Sequence, residues 1–246
     1  MVAPTKRAER ILGICALVLG AVSFAVSLLV VPPDAVQGDV QRLMYVHVPA
    51  AWLAYASFLL VFIASVAYLR THRTRWDRLA HAAAEIGVVF TALTIALGML
   101  WAEPVWGVWW TWDPRLTTTA ILLLIYLGYL AVRRLPDEPA RRASWAAVVG
   151  IVGFVDVPIV HLSVTWWRSL HQPATVLRPG APEMDPQMLV ALLLGVAAFT
   201  VLFAYLLLLR LRVHRAEDSV VARIVADRMF VPIHEPADDL EVVGDA

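Results

Sequence analysis

The chain is short of charge and almost without cysteine. Asp, Glu, Lys and Arg make up 16% of its 246 residues, against about a quarter in ordinary soluble domains. Twenty acids and twenty bases cancel, so the total singles out no acidic or basic partner and leaves no electrostatic footprint for nucleic acid. Only the distribution of charge can inform. Cys15 is the single cysteine. One thiol excludes an internal disulfide framework and any Cys-x-x-Cys metal or haem-attachment motif, and inside an apolar run it reads as a small hydrophobe. There is no Gly-x-x-x-x-Gly-Lys-Ser/Thr loop, so the chain cannot itself hydrolyse ATP by the P-loop route. A Ser/His/Asp arrangement and a metal-hydrolase motif are absent too. Enzymatic activity is not expected.

What is abundant is apolar sequence, 60% of the chain. Crossing the hydrocarbon core takes about 20 apolar residues at roughly 1.5 Å each. Six stretches meet or approach that length: 11–31, 45–69, 81–101, 116–132, 144–161 and 187–209. Lys6, Arg7 and Arg10 precede the first, as in a signal peptide, but no small-x-small site follows before Pro32 and Pro33. It is expected to be a retained span. The fold class expected is therefore an all-α integral membrane protein with six transmembrane helices over 1–210 and a tail over 211–246. Within that tail, Val220, Val221, Ile224, Val225 and Met229 have helical spacing. They predict a modest surface helix ahead of an acidic, disordered end.

Basic residues orient the spans. With the N-terminus in the cytoplasm, segments 1–10, 70–80, 133–143 and 210–246 lie inside and hold sixteen of the twenty Lys and Arg. The outer connections, about 32–44, 102–115 and 162–186, hold only Arg42, Arg115, Arg168 and Arg178. The positive-inside rule then places both termini in the cytoplasm. The outer loops are longer and rich in proline and aromatics, so function is sought there.

The densest signal is Trp106-Gly107-Val108-Trp109-Trp110-Thr111-Trp112-Asp113-Pro114-Arg115-Leu116-Thr117, with Trp101 just before it. Seven of the ten tryptophans fall at the outer side, whereas Trp76 and Trp145 alone mark the inner span ends. An interfacial aromatic belt would populate both surfaces, so a belt alone fits poorly. Helical spacing would put Trp106, Trp109, Trp110 and Asp113 on one face. The pattern thus predicts a short amphipathic, tryptophan-rich helix in the outer loop, limited by Pro114. Its broad aromatic surface suits a large planar apolar ligand. Arg115 is placed to pair with Asp113 or with acidic groups of that ligand.

Topology also sorts the seven histidines. His72, His81, His214 and His234 fall on the inner side and read as solvated surface residues. His47 opens the second span, His161 ends the fifth and His171 lies in the third outer loop. A histidine at a helix end is ordinarily a hydrogen-bonding residue; it is equally able to ligate a metal. Spacing alone does not choose among the three.

The tryptophan motif resembles the WWD domain of the haem-handling proteins of cytochrome c biogenesis. Residues 45–52, Tyr-Val-His-Val-Pro-Ala-Ala-Trp, look like that family's segment at the start of its second span. Residues 162–176, Leu-Ser-Val-Thr-Trp-Trp-Arg-Ser-Leu-His-Gln-Pro-Ala-Thr-Val, look like its third outer loop. Together with six spans, these motifs are similar to the haem exporter protein C (CcmC) family of the bacterial cytochrome c maturation system, over roughly residues 10–210. The resemblance implies haem b as the handled ligand, with His47 and His171 as axial ligands of its iron. It implies that Trp106, Trp109, Trp110 and Trp112 support the macrocycle and that Asp113 belongs to the same site. His161 is then a polar cap or supporting residue. Haem carries two propionates, and Arg42, Arg115, Arg168 and Arg178 are the outer bases available to neutralise them.

The family pattern more often has asparagine where this chain has Asp156, a charge inside the fifth span. By the same resemblance, the chain works in the bacterial inner membrane with an ATP-binding cassette pair (CcmA and CcmB) and a small membrane protein (CcmD). Its site faces the periplasm and presents haem to a haem chaperone (CcmE). Two other readings stay open at this point: a cytochrome c synthase subunit that attaches haem, and a permease subunit with belt tryptophans.

Overall fold

A computed structural model describes residues 6–173, 175–176 and 179–229. Among these residues the regular structure is helical, apart from an isolated bridge between Asp34 and Gly38. Helix α1 (Lys6–Ala25) ends in a π-turn over Val26–Val30, and a 3-10 turn, Asp39–Leu43, leads into α2 (Met44–Thr71). Then follow α3 (Thr74–Trp106), α4 (Pro114–Val132), α5 (Pro139–Phe154), α6 (Asp156–Trp166) and α7 (Pro186–Met229). Six segments are long and apolar enough to cross a membrane: Lys6–Val30, Asp39–Thr71, Thr74–Trp106, Pro114–Val132, Pro139–Trp166 and Pro186–Val221. The chain is an all-α, multi-pass membrane protein.

Residues 6–211 form one compact unit. Helix α2 is apolar on every side, which suits a central position; it packs against α3 and α5. Ala80, Ala83 and Ala84 of α3 are buried, and such small side chains let helix backbones approach closely where lipid supplies no hydrophobic drive. Phe58 of α2 stacks on Tyr126 of α4 with ring centroids 3.7 Å apart. Away from the tryptophan loop, Arg133 grips Asp77 through two bonds of 2.6 and 2.7 Å, and Arg210 grips Glu85 at 2.8 and 2.6 Å. These forked pairs tie α4 and α7 to α3 with fixed geometry. By contrast α1 leaves most of its apolar surface outward, Leu17 and Phe24 included, as a lipid-facing helix does.

The fifth span is two helices broken at Val155. Pro158 explains the break: it has no N–H to donate, and its ring crowds the carbonyl four residues back, at Phe154. Asp156 opens the second piece, buried, with one carboxylate oxygen lacking a hydrogen-bond partner.

Structure corrects the helix expected over 106–113. Helix α3 runs five residues past Trp101 and stops at Trp106. Gly107 then adopts φ +74°, its N–H closing on the Glu103 carbonyl. A left-handed glycine is a common helix stop. From Gly107 to Asp113 the chain is irregular, so Trp109 and Trp110 share no helical face with Trp106. Pro114 occupies the first turn of α4, where its missing N–H costs nothing.

Beyond Leu211 lies a separate compact unit. Its described part, 212–229, is helical, with Val220, Val221 and Ile224 exposed, in line with the helical spacing there. The expected acidic end and His234 lie outside the described residues.

Candidate functional site

Two histidines from distant parts of the chain share one cavity. His47 is the fourth residue of α2, and His171 lies in the loop after α6. Both line a cavity of about 590 Å³, together with Trp101, Trp106, Arg115 and His161. Its remaining wall is mostly apolar, as small-molecule sites are. Helix α3 supplies one tryptophan to each imidazole. Trp101 meets His47 edge-on at 5.8 Å between centroids, and Trp106 meets His171 edge-on at 4.9 Å. The extension of α3 past residue 101 is what brings Trp106 to that position.

The seat of His47 is made by Gly98. A Cβ built there would stand 3.2 Å from the imidazole Cε1, so glycine is the residue that leaves the ring its place. His47 Nδ1 is buried without a hydrogen-bond partner. An imidazole seated by packing beside the Thr94 backbone, with Nδ1 unbonded, has the right character for a ligand to a metal centre.

His171 is held differently. Its Nδ1 lies 3.1 Å from Asp113 Oδ1. Asp113 is the N-cap of α4, accepting from the Arg115 N–H at 2.9 Å. Its second oxygen accepts from Ser169 Oγ at 2.8 Å and from the Leu170 N–H at 2.7 Å. Ser169 Oγ in turn accepts from the His171 N–H at 3.0 Å. One carboxylate thus pins both the start of α4 and the loop that carries the histidine.

Burial by itself raises the Asp113 pKa, but the bonds from Leu170, Ser169 and Arg115, with the charge of His171, outweigh it. The carboxyl is held below its ordinary 3.8. Burial pushes the His171 imidazole below its ordinary 6.5, opposed by Asp113 and assisted by Arg115. The ring is therefore neutral near pH 7. With Nδ1–H donated to the carboxylate, Nε2 carries the free lone pair.

Of the outer arginines singled out in the sequence, Arg115 alone, among the described residues, joins the cavity. Its guanidinium does not turn to Asp113 but donates to the His161 carbonyl at 3.2 Å, leaving Nε buried and unpartnered. Arg42 is engaged elsewhere, with Asp39 at 2.8 Å and the Ser27 carbonyl. Arg168 is exposed outside the cavity lining, and Arg178 lies outside the described residues. Trp110 contacts Trp112 edge-on. Neither these two nor Trp109 lines the cavity, and Trp112 is 81% exposed. Sequence reasoning did not single out Gly98, Ser169, or Gln37, whose Oε1 accepts from Trp101 Nε1 at 2.8 Å. Nothing local marks Gln37 or Gly98. Ser169, two residues before His171, carries the weak signal of a serine able to bond nearby backbone.

Fold and site together define a multi-pass membrane protein with an apolar cavity, lined by two imidazoles, at the tryptophan-rich end of its bundle. The family profile described as "Heme exporter protein C" matches residues 1–226. The chain belongs to that family. It is 44% identical over 181 residues to "Heme exporter protein C" of Bradyrhizobium diazoefficiens, covering 74% of this chain and 69% of that protein. Its identity to the protein of the same name from Escherichia coli K12 is 35% over 181 residues, 74% of this chain and 73% of that one. A "Putative cytochrome c biosynthesis ccmC-like mitochondrial protein" of Marchantia polymorpha is 35% identical over 207 residues, 84% and 87% of the two chains.

Proposed function

We propose that this chain is a membrane subunit of the haem delivery machinery for c-type cytochrome biogenesis. It holds haem at the tryptophan-rich end of the bundle and passes it on without transforming it. One observation carries the reading: His47 and His171 line the same apolar cavity. Each has an imidazole nitrogen suited to iron, and two such ligands make a six-coordinate centre. The orphaned Nδ1 of His47 and Nε of Arg115 are the features such a guest would use, one side by its metal and the other by its acidic edge. Arg115 is the cationic side chain of the cavity wall and the base best placed to neutralise a propionate. Trp101 and Trp106 support the ligand histidines, while Trp109, Trp110, Trp112 and Arg168 stand outside the cavity lining.

The basic residues clustered on the opposite connections favour a periplasmic site in the bacterial inner membrane, with both termini in the cytoplasm. Family membership supports haem as the cargo. The b-type haem, the ATP-binding cassette pair (CcmA and CcmB), the small membrane protein (CcmD) and the periplasmic chaperone (CcmE) belong to this same reading. Purified protein from haem-replete cells is expected to show a low-spin bis-histidine visible spectrum. A colourless preparation that stays colourless on adding haem would overturn the proposal. Co-expression with the chaperone, compared with co-expression with apocytochrome alone, separates presentation from direct haem attachment.

A further inference from the structure

The cavity reaches past the ligand histidine into the membrane span. Tyr55 lines it together with His47 and Ala51, two turns beyond the histidine and about 12 Å farther along α2. It lies inside the apolar segment Asp39–Thr71. Helical side chains lean toward the N-terminal end of their helix, so the phenol leans back toward the level of His47. The threonines of the same wall are spent on their own helices. Thr91 donates to the Gly87 carbonyl at 2.7 Å, Thr94 to that of Phe90 at 2.7 Å and Thr119 to that of Arg115 at 2.6 Å. The Tyr55 hydroxyl has no hydrogen-bond partner among the described residues. Arg115 shares the cavity with Tyr55 and lies within its electrostatic reach. Asp156 is within reach as well, but it stands outside the lining and makes no bond to the phenol.

We propose that Tyr55 is a second anchor for the acidic edge of the bound haem, donating its O–H to the carboxylate that Arg115 neutralises and so setting which edge of the ring points inward. The inference rests on the haem reading above and adds the orientation. With the iron at His47, the edge held by Tyr55 points along α2 into the span, and the opposite edge points toward the tryptophan-rich end. An acid in an apolar cavity is costly unless it is paired and hydrogen-bonded. Arg115 supplies the charge and Tyr55 a directed bond, which is worth more to an ionised acceptor than to a neutral one. The two donors come from different helices, α2 and α4, so together they fix a direction and not only an affinity. Among the described residues no Asp or Glu lines the cavity. Nothing on that wall repels the acid or competes for its donors.

The test compares haem with its dimethyl ester, which keeps the iron and the ring but carries no free acid. Each is titrated into the purified full chain in detergent micelles, with the low-spin Soret band as the readout. Each variant is compared with the unaltered chain for the same ligand. Tyr55→Phe removes one oxygen and keeps the ring; it is expected to weaken haem binding about tenfold and to leave the ester unchanged. Equal weakening of both ligands is the signature of a residue that only shapes the cavity, and it overturns the anchor. Unchanged haem affinity overturns it too. Should Tyr55→Phe fail to fold, Tyr55→Met, whose flexible apolar chain fills a similar space, is read in its place with the same expectations. If the unaltered chain binds neither ligand, the haem-cavity reading itself has failed.

Discussion

Asp113 and His171 act as one unit although 58 positions separate them: Nδ1 of the imidazole meets Oδ1 of the carboxylate at 3.1 Å. The same carboxylate caps α4 and holds the loop at Ser169 and Leu170. Orientation of the ring and entry of the fourth span into the bundle are thus set by one side chain. Carboxylates behind ligand histidines fix the tautomer and raise ligand basicity.

Removing that carboxylate should loosen the ligand without deleting it. Asp113→Ala is expected to weaken haem binding about 10–100-fold, while the residual complex keeps its bis-histidine spectrum. Asp113→Asn, which keeps a cap for α4, should fall between the two. Haem titration of the purified variants measures this. Wild-type affinity in Asp113→Ala would show that the pair is only structural.

His47 and His171 should be individually indispensable to the six-coordinate centre. His47→Ala and His171→Ala are each expected to give a high-spin or absent Soret signature in place of the low-spin one. His161→Ala should retain the low-spin spectrum, because its carbonyl rather than its ring engages Arg115. Normal spectra in both ligand variants would sink the assignment.

Acid should displace haem only below the ordinary histidine range. Protons compete with iron for His171 Nε2, and burial holds that imidazole below 6.5. The sign follows from the direction of the shift. Above 6.5 folded and unfolded chains both hold a neutral ring. Below it the unfolded chain binds the proton first, so the folded site loses stability as pH falls. Spectral pH titration is expected to have its midpoint below 6.5. A wild-type midpoint at or above 6.5 would contradict the depressed value.

Gly98 should be replaceable only at the expense of His47. With a Cβ 3.2 Å from the imidazole, Gly98→Ala needs a shift of a few tenths of an ångström, and Gly98→Leu cannot be seated without displacing the ring. Overpacking of this kind costs about 1–3 kcal/mol. The leucine variant is expected to insert in the membrane yet lose the low-spin spectrum. Retention of that spectrum would mean that His47 is positioned by something else.

Much of the architecture could be read along the chain because a bilayer makes its demands locally. Each span must be apolar for its own length and satisfy its own backbone bonds, so six apolar runs were sufficient to expect six helices. The sharp start of α4 was legible as well, since Asp113-Pro114 carries a cap and a first-turn proline in adjacent residues. The loop before it is irregular where its spacing predicts a helix. Tryptophan spacing at three and four residues looks helical, but Gly107 turned left-handed at the end of α3 and broke the repeat before a shared face could form.

Sequence by itself determined the membrane bundle and the crowding of tryptophan and histidine at one end, and, through family resemblance, it gave His47 and His171 as the expected pair. Only the tertiary structure decided how those histidines are held. It chose Trp101 and Trp106, rather than the tryptophans after Gly107, to meet them. It also put Arg115 in the cavity wall while committing Arg42 to Asp39 and Ser27. The physical reason is range. Helix formation in lipid is settled within a span, whereas a ligand's orientation depends on a carboxylate, a glycine and an indole that meet only when separate helices pack. Asp113 shows both sides: its role as a cap is written in the next residue, and its hold on His171 is written nowhere but in the fold.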